Sequence, residues 1–160
     1  MRRLRIAAQL IRRYATALGI AASVVIVDLL TKRYAATHFD GSPVELAGGF
    51  LGFTYVENPG GAFGSFRGGG QIIAVAAMIV TVVVIAALAT PRPRGEVISL
   101  GLVIGGAIGN LVDRFARGDG LVDGPVIDWI NLWIIPTFNI ADASVTVGVA
   151  LLVLLAWWNR

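Results

Sequence analysis

Apolar residues in this chain gather into four long runs separated by short polar or glycine-rich stretches. The first, Tyr14 to Thr31, carries a single charge, Asp28. The second occupies the charge-free interval between Arg67 and Arg92, the third is Val97 to Val112, and the fourth extends from Asn139 to Trp158. A helix that crosses a bilayer needs ~17 to 25 apolar residues. The third run is slightly short of that, so its helix is expected to continue through Asp113 and Arg114. The pattern predicts four transmembrane helices over about residues 15–36, 70–90, 97–115 and 139–158. Between the first two, "GGFLGFTYVENPGGAF" replaces the long apolar period with glycines, aromatics and short alternations, which predicts strands and a turn at Asn58 to Gly61. This small β element covers about residues 40–66. "TPRPRGE", from Thr90, reads as a tight basic turn and "RGDGLVDGP", from Arg117, as a polar loop. The stretch Val126 to Ser144 runs from Asp128 through a Trp-rich turn to Asp142, just inside the fourth run.

Composition narrows the class. With 56% hydrophobic and 14% charged residues and a mean hydropathy of +0.78, the chain is too apolar for a soluble domain, where about a quarter of residues are charged. The absence of cysteine excludes a disulfide framework, a thiol nucleophile and a Cys-based metal site, and the lone His38 gives no His-based one. No metal and no cofactor are expected. The first run is longer than the apolar core of a secretory signal, so it reads as an uncleaved span, and Arg12–Arg13 is only a weak twin-arginine match.

Charge gives the orientation. The net charge is +3, but the arginines are dispersed at span ends instead of forming one patch, so no nucleic-acid partner is expected. With four spans both termini share a side. That side holds Arg2, Arg3, Arg5, Arg12, Arg13, Arg92, Arg94 and Arg160 against Glu96 alone, a net +7. The other side holds five cations and nine acids, a net −4. Basic loops stay in the cytoplasm, so the termini are expected to be cytoplasmic. The expected fold is thus one integral membrane domain over residues 1–160. It is an all-α membrane protein of four transmembrane helices with a small extracytoplasmic β element between helices 1 and 2.

Several polar constellations interrupt the apolar frame. "DLLTK" places Asp28 and Lys32 four residues apart on one helix face, the spacing of an ion pair, and the structural reading is preferred. "GGAIGNLVDR" sets Asn110, Asp113 and Arg114 within about one turn at a helix end. They read equally well as a salt-bridged terminus or, for Asn110 and Arg114, as donors aimed at a substrate carbonyl or a catalytic carboxylate. Gly101, Gly105 and Gly109 recur every four residues and form a smooth ridge for close helix packing. Asp128 and Asp142 are acids at a membrane edge, where a carboxylate is expensive and marks a functional candidate. Two acids sharing one proton could activate a water. For Asp142 the helix dipole favours the ionised form and burial the neutral one. The same two residues also read as a helix cap and a solvated loop aspartate, and spacing does not separate these readings. A proton relay through Asp28, Asp113 and Asp142 is a rival, but all acids except Glu96 cluster at one face. A scaffold packed through the glycine ridge is another, and leaves the acids idle.

"DLLTK", "NPGGAF", "GGAIGNLVDR", "VIDWI" and "FNIADAS", in this order between residues 28 and 144, resemble the five sequence blocks of the lipoprotein signal peptidases, also called signal peptidase II. The resemblance implies an aspartic endopeptidase of the bacterial inner membrane, with its active site near the outer face. Its substrate would be a diacylglyceryl-modified prolipoprotein, cut just before the lipidated cysteine. By motif, Asp128 and Asp142 match the catalytic pair, and Asn58, Asn110, Arg114 and Asn139 match the polar residues that bind substrate or support the pair. Asp28 and Lys32 match a block taken as structural, and Asp113 is grouped with them. Membrane lipid is the other expected partner, and a monomer is expected. Gly61 stands where Ala is commoner in the family, and Trp129 where Phe is, departures that bear on the shape of the substrate groove.

Overall fold

The helix that organises the molecule is the third. More than half of its most apolar window is buried (56%), against 17% for the first and second helices and 11% for the fourth, so the other three pack around it and turn most of their surface outward. The computed structural model describes residues 1–60 and 69–158. Its elements are α1 (Arg2–His38), β1 (Val44–Leu46), β2 (Leu51–Asn58), α2 (Gly70–Ala87), α3 (Arg94–Ala116), β3 (Val126–Leu132), β4 (Ile135–Phe138) and α4 (Ile140–Trp158). All four helices are long and apolar enough to cross a membrane. Gly61 to Phe63 of the second motif, the tail of the expected β element to Phe66, Arg67 and Arg160 lie outside the described residues.

Small residues set the helix packing. Along α3 the glycine ridge lies on α1: a Cβ at Gly101 would sit 2.8 Å from the Ala17 carbonyl oxygen, and one at Gly105 would sit 2.9 Å from Ala21 Cα. Ala17 and Ala21, one turn apart on α1, are buried with Leu100 and Ile104 of α3. In lipid, such close backbone approach is what small residues contribute to helix association, since tails solvate Leu as well as a neighbouring helix does. Gly148 brings α4 equally close, with a Cβ there 2.8 Å from the Ser99 carbonyl oxygen. Outward faces carry Ile72, Ile79, Val82, Val153 and Leu154, all more than half exposed. Trp157 and Trp158 stand out at the end of α4, as an aromatic belt requires.

Helix α1 has 37 residues, about 55 Å at 1.5 Å per residue, and so exceeds a hydrocarbon core of ~30 Å. Its charged landmarks are better matched: Arg13 and Lys32 are about 28 Å apart along the axis. The helix begins far ahead of the span expected from residue 15, because Arg2 to Arg13 also favour helix and nothing breaks it.

The β element between α1 and α2 is present, and it is half of a larger sheet. Four antiparallel strands run in the order β1-β2-β3-β4. Strands β3 and β4 come from the stretch read as a Trp-rich turn, which instead pairs with β2 some seventy residues earlier in the chain. The sheet is fixed to the end of α1 by aromatic contacts, with Phe53 and Trp129 centroids 5.6 Å apart and Phe39 stacked on Phe53 at the same distance.

Candidate active site

A bulge in β2 decides which residues meet Asp128. Phe53 pairs with Ile130, but the next pairs are Val56 with Asp128 and Asn58 with Val126, so one extra residue sits in β2. A shift of one residue moves every following side chain to the other face. Without the bulge Tyr55 would stand opposite Asp128. With it Asn58 becomes its same-face diagonal neighbour, and Asn58 Nδ2 donates to Asp128 Oδ2 at 3.0 Å.

Asp142 arrives from α4. Asn139 is the residue before that helix, and its Oδ1 accepts the Asp142 backbone N–H at 2.9 Å while Asp142 Oδ2 accepts the Asn139 backbone N–H at 3.3 Å. This is a reciprocal capping box built from Asn and Asp, satisfying two N–H groups that a helix start leaves free. The same Asn139 amide donates to Asp128 Oδ1 at 2.7 Å. One fully buried side chain therefore holds both acids. Asn110 completes the set, with Nδ2 donating to Asp142 Oδ1 at 2.7 Å and Oδ1 accepting from Asn139 Nδ2 at 3.1 Å. Burial raises Asp128 from the ordinary carboxylate value to about 6; the Asn58 amide opposes the shift, the nearby charge of Asp142 adds to it, and the Asn139 amide again opposes it.

Asp28, Lys32 and Asp113 form a separate cluster just behind. Lys32 Nζ donates to Asn110 Oδ1 at 3.0 Å and lies 2.7 Å from Asp28 Oδ2 and 2.8 Å from Asp113 Oδ2, so one ammonium sits between two carboxylates. Asp28 Oδ1 also accepts the Ala141 N–H in the first turn of α4 at 2.9 Å, which fixes that helix start against α1. Asp113 further takes Arg117 Nε at 3.0 Å and the Ile127 N–H at 3.3 Å, beside Asp128 on β3. The pair expected between Asp28 and Lys32 is thus a three-helix junction.

For Arg114 the sequence leaves two readings open, a salt-bridged helix end or a donor aimed at a substrate carbonyl or a catalytic carboxylate, and among the described residues it forms no ion pair. Its Nη1 donates to the carbonyls of Pro59 and Gly124, both at 3.0 Å, and it makes no hydrogen bond to either acid among the described residues. Two loop carbonyls lay nearer than the acids, and a buried guanidinium takes the acceptors within reach. It still lines the same cavity as Asp128 and Asp142. Sequence reasoning missed the Lys32 contact to Asn110 and the Ala141 anchor, which join residues 78 and 113 positions apart. The Asn139-x-x-Asp142 box was open to it, as a capping signature before an apolar run.

Both acids face one open cavity of about 780 Å³. Asn58, Asn110 and Arg114 line its polar end, while Ile73 and Ala77 of α2 and Thr146 and Val147 of α4 carry it down between the spans. The site can therefore hold a water and a polar chain at the carboxylates, with an apolar chain alongside. No three His, Cys, Asp or Glu side chains converge as a metal site among the described residues.

Comparison with known proteins gives a concordant result. The family model described as signal peptidase (SPase) II matches residues 20–158. A lipoprotein signal peptidase of Rhodococcus jostii is 40% identical over 137 residues, 85% of this chain and 69% of that one. One from Caldicellulosiruptor bescii is 39% identical over 136 residues, 85% and 87% of the two chains. A solved structure of a bacterial membrane enzyme superposes with a TM-score of 0.79 at 29% identity, covering 91% of this chain and 89% of that one.

Proposed function

The chain belongs to the signal peptidase II family, peptidases of the aspartic class that remove signal peptides from prolipoproteins, and we propose that Asp128 and Asp142 are the pair with which it does so. The observation that carries this is that two carboxylates share one cavity, held by three neutral amides and, among the described residues, by no cation. A lysine between them would keep both ionised. Amides orient them and leave room for one proton between two acids.

Asp128, the acid that holds its proton to about pH 6, donates toward the scissile carbonyl oxygen. Asp142, receiving the Asn110 amide and the Asn139 N–H, takes a proton from a water lodged between the two as that water attacks the carbonyl carbon. Collapse of the tetrahedral species returns a proton to the leaving nitrogen and restores the one-proton pair. Asn58, Asn110 and Asn139 position the acids. Arg114 holds the Pro59 and Gly124 loops that wall the site and binds substrate only through its remaining N–H groups.

The substrate is a prolipoprotein carrying diacylglycerol on the cysteine that follows the cut. The cavity runs from the acids into an apolar channel between α2 and α4, which suits both a signal helix and acyl tails, at ~0.8 kcal/mol per buried CH₂. Both acids come from one chain, so a monomer suffices. The charge split of +7 to −4 orients the termini to the cytoplasm and the site to the outer face of a bacterial inner membrane. The deciding experiment is cleavage by the purified full-length chain in detergent. Diacylglyceryl-modified precursor should be cut just before the modified cysteine and the unmodified precursor poorly. Equal turnover of both would remove the lipid from the recognition.

A further inference from the structure

At the other end of the bundle, far from the acids, α1 and the turn between α2 and α3 enclose a second cavity of about 420 Å³. Arg12 and Arg13 reach it from α1, Arg92 and Arg94 from the turn and the start of α3, and Gln9 and Thr16 complete its polar wall. We propose that this cavity binds the phosphate of an anionic phospholipid headgroup.

Two of the arginines are fixed in place by the protein and two are left open. Arg13 Nη2 donates to the Ala89 carbonyl at 3.1 Å, and its buried Nε has no acceptor among the described residues. Arg92 is held by the Ala87 carbonyl at 2.8 Å and by Glu96 at 2.9 Å. Arg12 and Arg94 are exposed and meet no carboxylate among the described residues. Four guanidinium groups from segments some eighty residues apart thus converge on one concavity beside a single glutamate. Such convergence is repulsive unless an anion joins it, and the guanidinium fork matches phosphate oxygens.

The depth selects the source of that phosphate. Arg13 lies about one hydrocarbon thickness along α1 from Lys32, so the cavity stands at headgroup level. Basic pockets between transmembrane helices at that level are suited to anionic lipid heads. Arginines that only set topology need no concavity, and Arg3 and Arg5, exposed and outside the cavity, serve as the internal contrast.

The test compares lipid retention by the full-length protein in native mass spectrometry, with phosphatidylglycerol and phosphatidylcholine of matched acyl chains as probes. Phosphatidylglycerol should be retained about tenfold more than phosphatidylcholine, and Arg12→Gln/Arg94→Gln should abolish that preference. Neither side chain makes an intramolecular hydrogen bond among the described residues, so the variant should fold. If it is not recovered, Arg94→Gln alone should lose severalfold and carries the same test. Arg3→Gln/Arg5→Gln removes as much charge outside the cavity and should leave retention unchanged. Equal loss in the two double variants, or no preference in the wild type, would overturn the site. Inorganic phosphate should not raise the thermal midpoint, and a rise equal to that given by the lipid would overturn the lipid assignment.

Discussion

One end of the helix bundle holds two pairs of carboxylates, all buried except the half-buried Asp142, and what holds each pair differs. Asp28 and Asp113 are bridged by the ammonium of Lys32 at 2.7 and 2.8 Å. Asp128 and Asp142 are bridged by Asn139, which brings hydrogen bonds and no charge. A cation satisfies both members of a pair at once and fixes their protonation, which makes a joint between helices. An amide holds geometry and leaves the proton free to move. On the proposed assignment the neighbouring pairs separate holding the fold from doing chemistry, and Asn110, which accepts from Lys32 and donates to Asp142, connects them.

The largest expected effect comes from removing an acid from the amide-held pair. Asp128→Asn or Asp142→Asn should lower kcat/KM by about 10³-fold or more, as loss of general acid or base catalysis does. The thermal midpoint should stay near that of the wild type. Turnover within tenfold of wild type would end the contrast between the pairs. Next comes Lys32→Met, which strands Asp28 and Asp113 in the interior. Breaking a buried ion pair costs about 3–5 kcal/mol, so the folded yield and thermal midpoint should fall. The surviving folded enzyme should keep kcat/KM within about tenfold at its optimum, its alkaline limb moving slightly up as the Lys32 charge no longer lowers Asp128. A loss in the folded enzyme as large as that of the Asp128 variant would place Lys32 in the chemistry.

A subtler effect is on pH. With Asp128 pushed up to about 6 by burial, the alkaline limb of kcat/KM should fall no lower than about pH 6, and higher for kcat once substrate covers the acid. The sign for stability is set by the same shift. The folded value lies above the unfolded 3.8, so the native state holds the proton more tightly, and this contribution is present at acid pH and lost as pH rises through about 6. Asp128→Asn should flatten that slope in a chemical denaturation series. The smallest expected effect is none: EDTA should leave cleavage intact, and loss restored by added zinc would defeat the two-carboxylate reading.

Much of this was legible because membrane crossing is a local property of sequence. The four runs and the glycine ridge each need only a window of one helix. Val126 to Phe138 was not legible. In β3 the consecutive residues Val126, Ile127 and Asp128 are all buried, which erases the alternation that marks a half-buried strand. Its partner is remote, and the register depends on a bulge that no local pattern announces. Arg114 shows a related limit: its motif position marked it as important, but which acceptor it reaches is set by how two loops, at Pro59 and Gly124, come together.

The Asn139 box also sets how the enzyme should fail on warming. Local openings cost less free energy than unfolding a whole domain, and on the proposed assignment any opening that parts Asn139 from Asp142 separates two acids that must act on one water. Heat should therefore silence the enzyme before it melts the bundle, with activity lost at a temperature where α1 and α3 are still intact.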